Sequence, residues 1–303
     1  MAINPRISLL MFIFVLIFLS GFFIFDKGHA QLLCSNYTNA DGTITYTDDS
    51  SGASTACNLT PDSMTIILHF IGLCTSEPTI ANFRTACSSL FSSSTGESKK
   101  ITTTTSVNLM NDVTITEGNY THAAILIKNN IGFSVKKKFS PARSGKTGTG
   151  EWCWTLDGET TTVNTNFAQR STWIAECGAD EPTTIGTHTA NQNAVWSTAS
   201  GGRFDNYETG TTTSTTWSVY LLKADETINT GTPGNYGSFG TASYYLGIQK
   251  CNTAVSITPK TSNLDVGFRL EDTFSMETTK NGGTHYVPRY GLGGFEFKVL
   301  ASE

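Results

Sequence analysis

Trp152 and Trp154 flank Cys153 in the run EWCWTLDGE, and these two indoles are the side chains best suited to hold a ligand. On an extended strand, residues i and i+2 share one face about 7 Å apart. An indole face is apolar and can stack on the C–H side of a sugar ring. The same spacing also serves a core, in which both rings are buried and Cys153 faces a loop, since Trp is largely buried on average. Glu151, Asp157, Glu159, Glu176, Asp180 and Glu181 gather around the pair. Paired carboxylates can work on a glycosidic bond, and loop carboxylates can bind calcium. No D-x-D-x-D-G loop is present, however, and solvated loops are the simpler reading. Neither a metal site nor a cofactor is expected; structural calcium is the one ion these groups could take.

Gly145-Lys146-Thr147 ends SPARSGKT in the manner of a phosphate-binding loop. Ser140 stands where the first glycine is required, and no apolar helix follows to aim its N-terminus at a phosphate. A surface loop is expected. His69, His122, His188 and His285 lie in no H-E-x-x-H, and no G-x-S-x-G elbow exists for a serine nucleophile. Trp173, Trp196 and Trp217 are scattered and read as core. With 20 basic and 25 acidic residues the formal charge is −5, which leaves no electrostatic footprint for nucleic acid. Lys136-Lys137-Lys138 reads as a solvated strand whose lysines discourage pairing with neighbours. An anionic surface contact is the alternative.

The compartment decides how the cysteines are read. Ile7–Phe25 is an uncharged apolar run, long enough for a bilayer helix. Gly28-His29-Ala30 supplies small residues at the positions a signal peptidase accepts, so residues 1–30 are expected to be a signal peptide cut after Ala30. An uncut membrane anchor is the alternative. Lipidation of Cys34 is not expected, because Leu33 fills the preceding position, which must be small. In each case the chain from Gln31 is delivered outside the cytoplasmic membrane, secreted or at the cell surface, where thiols oxidise. Cys74–Cys87, Cys34–Cys57 and Cys153–Cys177 are the expected pairs, leaving Cys251 single. No C-x-x-C occurs, so disulfides are favoured over zinc.

The elements that would position these residues repeat with period two. In Ser63–Cys74, Met64, Ile66, Leu68 and Phe70 face one way and Thr65, Ile67, His69 and Ile71 the other. Both faces are largely apolar, as in a central strand covered on both sides. Ala123, Ile125 and Ile127 mark a second strand after a turn at Glu117-Gly118-Asn119. Ile131, Phe133 and Val135 alternate with polar residues, as do Leu264, Val266, Phe268 and Leu270, and Phe295, Phe297 and Val299. Thr79–Phe91 could supply a short helix. Threonine, about one residue in six beyond Ala30, suits the exposed face of a sheet. Residues 140–151 and 229–240 are rich in Gly, Ser and Pro and read as loops. The expected fold is all-β: an elaborated antiparallel β-sandwich, jelly-roll or immunoglobulin-like, spanning residues 31–303. It carries a loop-rich insertion at about 141–240; two β-domains are the alternative. Sequons at Asn36, Asn58 and Asn119 are unremarkable in so threonine-rich a chain.

Leu73-Cys74-Thr75, ending one strand, and Gly118-Asn119-Tyr120-Thr121, opening another, together resemble a loose group of exported β-sandwich proteins of marine bacteria. The likeness covers about a quarter of the chain. It implies a secreted sandwich with a disulfide anchor and carries over no catalytic residue. The expected function is therefore that of a non-enzymatic extracellular or cell-surface structural protein, an adhesin or a subunit that self-associates by strand addition at sheet edges. A secreted glycan-binding module using Trp152 and Trp154 is the alternative. A secreted glycoside hydrolase using carboxylates near Asp157 and Asp180 is the third reading.

Overall fold

The computed structural model of the chain describes residues 33–46, 55–102, 106–108, 115–158, 160–163, 175–192, 195–197, 203–205, 207–211, 216–230, 240–271, 274–281, 284–292 and 296–302. The expected signal peptide and its cleavage position lie outside these residues, as do Glu159 and Trp173. The described residues are mostly β, with strands numbered here along the chain. The larger sheet runs β14 (Tyr207–Thr211), β15 (Thr216–Leu222), β16 (Tyr244–Ile257), β5 (Gly118–Lys128), β2 (Ser63–Cys74), β6 (Ile131–Ser134), β11 (His188–Gln192) and β9 (Thr160–Val163). β3 (Cys87–Ile101) also pairs with β2. A second sheet runs β1 (Thr55–Leu59), β18 (Phe274–Asn281), β19 (Thr284–Leu292), β7 (Lys136–Ser144), β8 (Thr149–Thr155) and β10 (Ala175–Gly178). β20 (Glu296–Ser302), β17 (Asn263–Arg269) and β4 (Ser106–Asn108) form a third, and β12 (Val195–Ser197) pairs with β13 (Arg203–Asp205). The pairings are antiparallel except β9 with β11 and β7 with β19.

β2 lies inside the larger sheet, as its two apolar faces require, but its alternation breaks at His69. Leu68 pairs with Glu97 of β3 and Ile127 of β5, whereas Phe70 pairs with Ser92 and Leu126. Against β5 His69 is an extra residue, a bulge, whereas against β3 the surplus lies in β3, with Ser93–Gly96 facing His69 alone. The expected common face of Leu68 and Phe70 is corrected accordingly. Met64, Ile66, Leu68, Ile71 and Leu73 enter the main core, while Phe70 and Cys74 turn to a second cluster on the other side of the sheet. Opposite His69, β3 loops out through Ser93–Gly96. Gly96 has φ +80°, and a Cβ there would stand 2.5 Å from Ile67 Cγ2, so no other residue fits.

β5 shows the alternation uninterrupted: Ala123, Ile125 and Ile127 enter the main core, Ala124 and Leu126 the second cluster. The chain passes from the larger sheet to the second one between β6 and β7, at Val135. There the Val135 amide donates to Thr155 Oγ1 and the Thr155 amide to the Val135 carbonyl, both at 3.0 Å. Phe133 of β6 meets Phe274 of β18 with ring centroids 4.5 Å apart, so one core joins both sheets. Leu264, Val266, Phe268 and Leu270 are all buried in it. Arg143 is also fully buried; its guanidinium donates to the Tyr46 carbonyl and lies 5.6 Å from the Phe139 ring centroid.

Residues 75–86 cap the second cluster. The helix expected there is a single turn, Phe83–Ala86, and Cys87 already opens β3. Arg84 lies 5.3 Å from the Phe70 and Phe83 ring centroids and holds Glu226 with two hydrogen bonds of 2.8 and 2.6 Å. Cys34–Cys57, Cys74–Cys87 and Cys153–Cys177 are bonded at sequence separations of 23, 13 and 24. Loops of that size contribute about 3 kcal/mol each by restricting the unfolded chain. Three such bonds point to an oxidising environment outside the cytoplasm. Cys251 is free and half-buried, and burial pushes its thiol up. Among the described residues, no helix is long and apolar enough to cross a membrane.

The glycine-rich run 140–151, expected as a loop, is largely the β7–β8 hairpin, turning at Gly145–Gly148. Between residues 141 and 240 the chain contributes β8 and β10 to the second sheet and β9, β11, β14 and β15 to the larger one.

Candidate functional site

Cys153 fixes which way β8 faces. It stands directly opposite Cys177 of β10, bonded to it and fully buried in the main core. Because side chains alternate along a strand, Trp152 and Trp154 must leave by the opposite face. Both are half-buried there. The reading in which both rings fill the core and Cys153 faces a loop is therefore overturned: the disulfide is inside and the indoles lie half-buried on the opposite face. Of the other tryptophans, Trp217 is also only half-buried, and the side chain of Trp196 lies outside the described residues.

The pairing register sets the neighbours of the two rings. Trp154 faces Lys136 on β7 and Glu176 on β10; Trp152 faces Lys138 and Gly178. Trp154 leans diagonally over Gly178, so that a Cβ on this glycine would sit 3.2 Å from Trp154 Cη2. Lys136 leans toward Trp152, with Nζ 6.0 Å from the ring centroid. Lys136 also meets Glu181 at 2.6 Å, Lys138 meets Glu151 at 3.4 Å, and Lys137 meets Asp62 at 3.9 Å. The lysine run was expected on a strand that resists pairing. It lies instead on β7, paired residue for residue with β8, while β19 meets β7 only at Ser144; a carboxylate stands beside each ammonium.

The turn that resembles a phosphate loop holds an anion of its own chain. Glu176 accepts the Thr147 amide at 3.1 and 3.2 Å, the Thr147 hydroxyl at 2.6 Å, the Gly148 amide at 2.6 Å and the Cys177 amide at 3.0 Å. Burial pushes this carboxyl up, but the hydrogen bonds from Thr147, Cys177 and Gly148 outweigh it and hold the group below its ordinary value. The β7–β8 turn is thus fastened to β10 beside Trp154.

The remaining carboxylates are engaged separately. Asp157 accepts the Thr187 amide at 2.6 Å, Glu181 and Glu151 take lysines, and Asp180 is exposed. Among the described residues, no group of three or more His, Cys, Asp or Glu side chains is arranged to hold a metal ion. The histidines are dispersed. His69 Nδ1 lies 3.1 Å from the Ser93 carbonyl, and His188 is fully buried 5.1 Å from the Phe133 ring centroid. Burial, reinforced by Lys250, pushes His122 down, with Glu77 opposing. The side chain of His285 lies outside the described residues. Asn36 and Asn119 are exposed, whereas Asn58 is buried.

Gly178, Lys136, Lys138 and Glu181 complete the face and were not singled out as a group from the sequence. One signal was available: K-x-K and W-x-W have the same two-residue spacing and would face each other across a hairpin. No protein-family model, curated protein or solved structure matches the chain.

Proposed function

We propose that this is an exported, non-enzymatic surface protein, built on an antiparallel β-sandwich, that binds carbohydrate through the Trp152–Trp154 face of β8. The sandwich is supported by the shared core and the Phe133–Phe274 contact between the two large sheets. Export is supported by the three disulfides. The carbohydrate reading rests on one observation: two indoles two residues apart stand half-exposed on a strand whose inward position is taken by a buried disulfide. That disulfide braces the strand from behind, and a rigid aromatic pair loses little entropy on meeting a ligand.

Adhesion is favoured over filament assembly. β3 pairs with β2 alone among the described residues and offers the longest edge for strand addition. The Ser93–Gly96 bulge interrupts it, and Glu97, Lys99 and Lys100 place charges along it, both devices that discourage edge pairing. Chromatography of the folded protein over a panel of immobilised polysaccharides tests the proposal. Retention on at least one, lost in Trp154→Ala, is expected; passage through every column unretarded ends it.

A further inference from the structure

We infer that the ligand of the β8 face is an uncharged carbohydrate lying along the strand across both indoles, and that acidic glycans are rejected. This rests on the carbohydrate reading and adds the chemical class. A site for uronates or sulfates needs a cation free to pair with the ligand. Here the ammonium beside the rings, Lys136, is held by Glu181 at 2.6 Å, and Lys138 stands 3.4 Å from Glu151. An acidic sugar would have to displace these carboxylates from the lysines and then lie against them, a like-charge contact that disfavours such a ligand relative to a neutral one.

A polyhydroxyl ligand meets no such conflict. Each ion pair keeps spare N–H donors and carboxylate lone pairs for hydroxyl groups. The Trp152 and Trp154 rings offer apolar area to C–H faces at a spacing of about 7 Å, which calls for more than one sugar unit. Gly178 contributes by absence: with no side chain beneath it, Trp154 lies close to β10 and does not stand up as a barrier. Glu176 is spent on the β7–β8 turn and is not available to the ligand.

The test uses the folded, disulfide-bonded protein with two ligand sets, xylan, mannan and β-glucan against polygalacturonate, alginate and a sulfated galactan, at 50 and 500 mM salt. The expected result is binding within the neutral set that changes less than about twofold between the two salt concentrations. It should fall about tenfold or more in both Trp152→Ala and Trp154→Ala, as for an aromatic anchor. Far-UV circular dichroism checks that each variant is folded, and Trp152→Phe and Trp154→Phe, which keep an aromatic face, should retain most of the affinity. Glu181→Gln frees Lys136 and is expected to gain salt-sensitive binding to the acidic set. Binding confined to acidic glycans and weakened by salt overturns the inference while leaving carbohydrate recognition standing. Neutral binding indifferent to both tryptophans removes the site, and no binding to either set removes the underlying reading as well.

Discussion

Replacing Glu176 by glutamine exchanges one carboxylate oxygen for an NH2 group in a turn built to donate. In the wild type, four donors converge on the carboxylate: the amides of Thr147, Gly148 and Cys177 and the Thr147 hydroxyl. A glutamine carbonyl in the place of Oε1 can serve the Gly148, Cys177 and Thr147 amides, but its NH2 then replaces the oxygen that takes the Thr147 hydroxyl and the second branch of the Thr147 amide. Hydrogen bonds to a charged group are worth about 1.5–3 kcal/mol when well shielded. Glu176 is only partly buried, so solvent screening holds the expected loss to the lower end, about 1.5 kcal/mol at neutral pH. The pH dependence is the sharper test. The carboxyl is held below its ordinary value in the folded state, so its contribution is complete above the unfolded value, about 4.3, and disappears as pH falls through the folded one. Urea unfolding followed by tryptophan fluorescence should give a wild-type advantage that is flat from pH 5 to 8 and shrinks below about pH 4. An advantage of the same size at pH 3 and pH 7, or one under about 0.5 kcal/mol at pH 7, would refute the assigned role of this carboxylate.

Tyr245→Phe should raise the urea midpoint, by about 1 kcal/mol in stability. The hydroxyl is buried with no hydrogen-bond partner among the described residues, and the ring keeps its packing; a lowered midpoint contradicts this. The double variant Cys153→Ala/Cys177→Ala should lose about 3 kcal/mol from the unfolded-chain effect alone, read in the same titration. Arg84→Ala should cost about 1–2 kcal/mol and Glu226→Gln about 0.5 kcal/mol, since only the arginine also covers the Phe70 and Phe83 rings. Equal losses would show that the ion pair carries the whole effect. Gly178→Val places a branched side chain under Trp154, so the ring should lift, the tryptophan emission shift to longer wavelength and carbohydrate retention fall. An unchanged emission spectrum and undiminished retention would mean the ring does not depend on that glycine.

Local alternation was legible wherever a strand kept strict period two. Leu264, Val266, Phe268 and Leu270 are buried as their spacing requires, and β5 divides its side chains between two cores without interruption. The paired apolar faces of Ser63–Cys74 identified an interior strand, yet the identity of each face beyond Leu68 was hidden. The bulge at His69 depends on Ser93–Gly96, brought opposite by pairing and not by nearness in the chain. The candidate site was half legible for the same kind of reason. W-C-W establishes that the cysteine and the indoles point opposite ways; only the place of Cys177 in the core decides which way is out. Likewise Lys136 comes to face Trp154 because β7 and β8 shift register between Lys138 and Arg143, around Pro141. The sequence reads this stretch only as a loop, because the size of the shift is set by the strands that flank it.

The extra residue in β2 has a consequence for how the larger sheet stays in alignment. A regular strand can slide by two positions and still present apolar groups to the same side. β2 cannot, because its bulge must stay at the level where β3 loops out through Ser93–Gly96. A slide by two would carry His69 away from that loop-out and set regular strand against it, and the break against β5 lies at the same level. His69 therefore works as an indexing notch, locking three adjacent strands of the larger sheet into a single alignment.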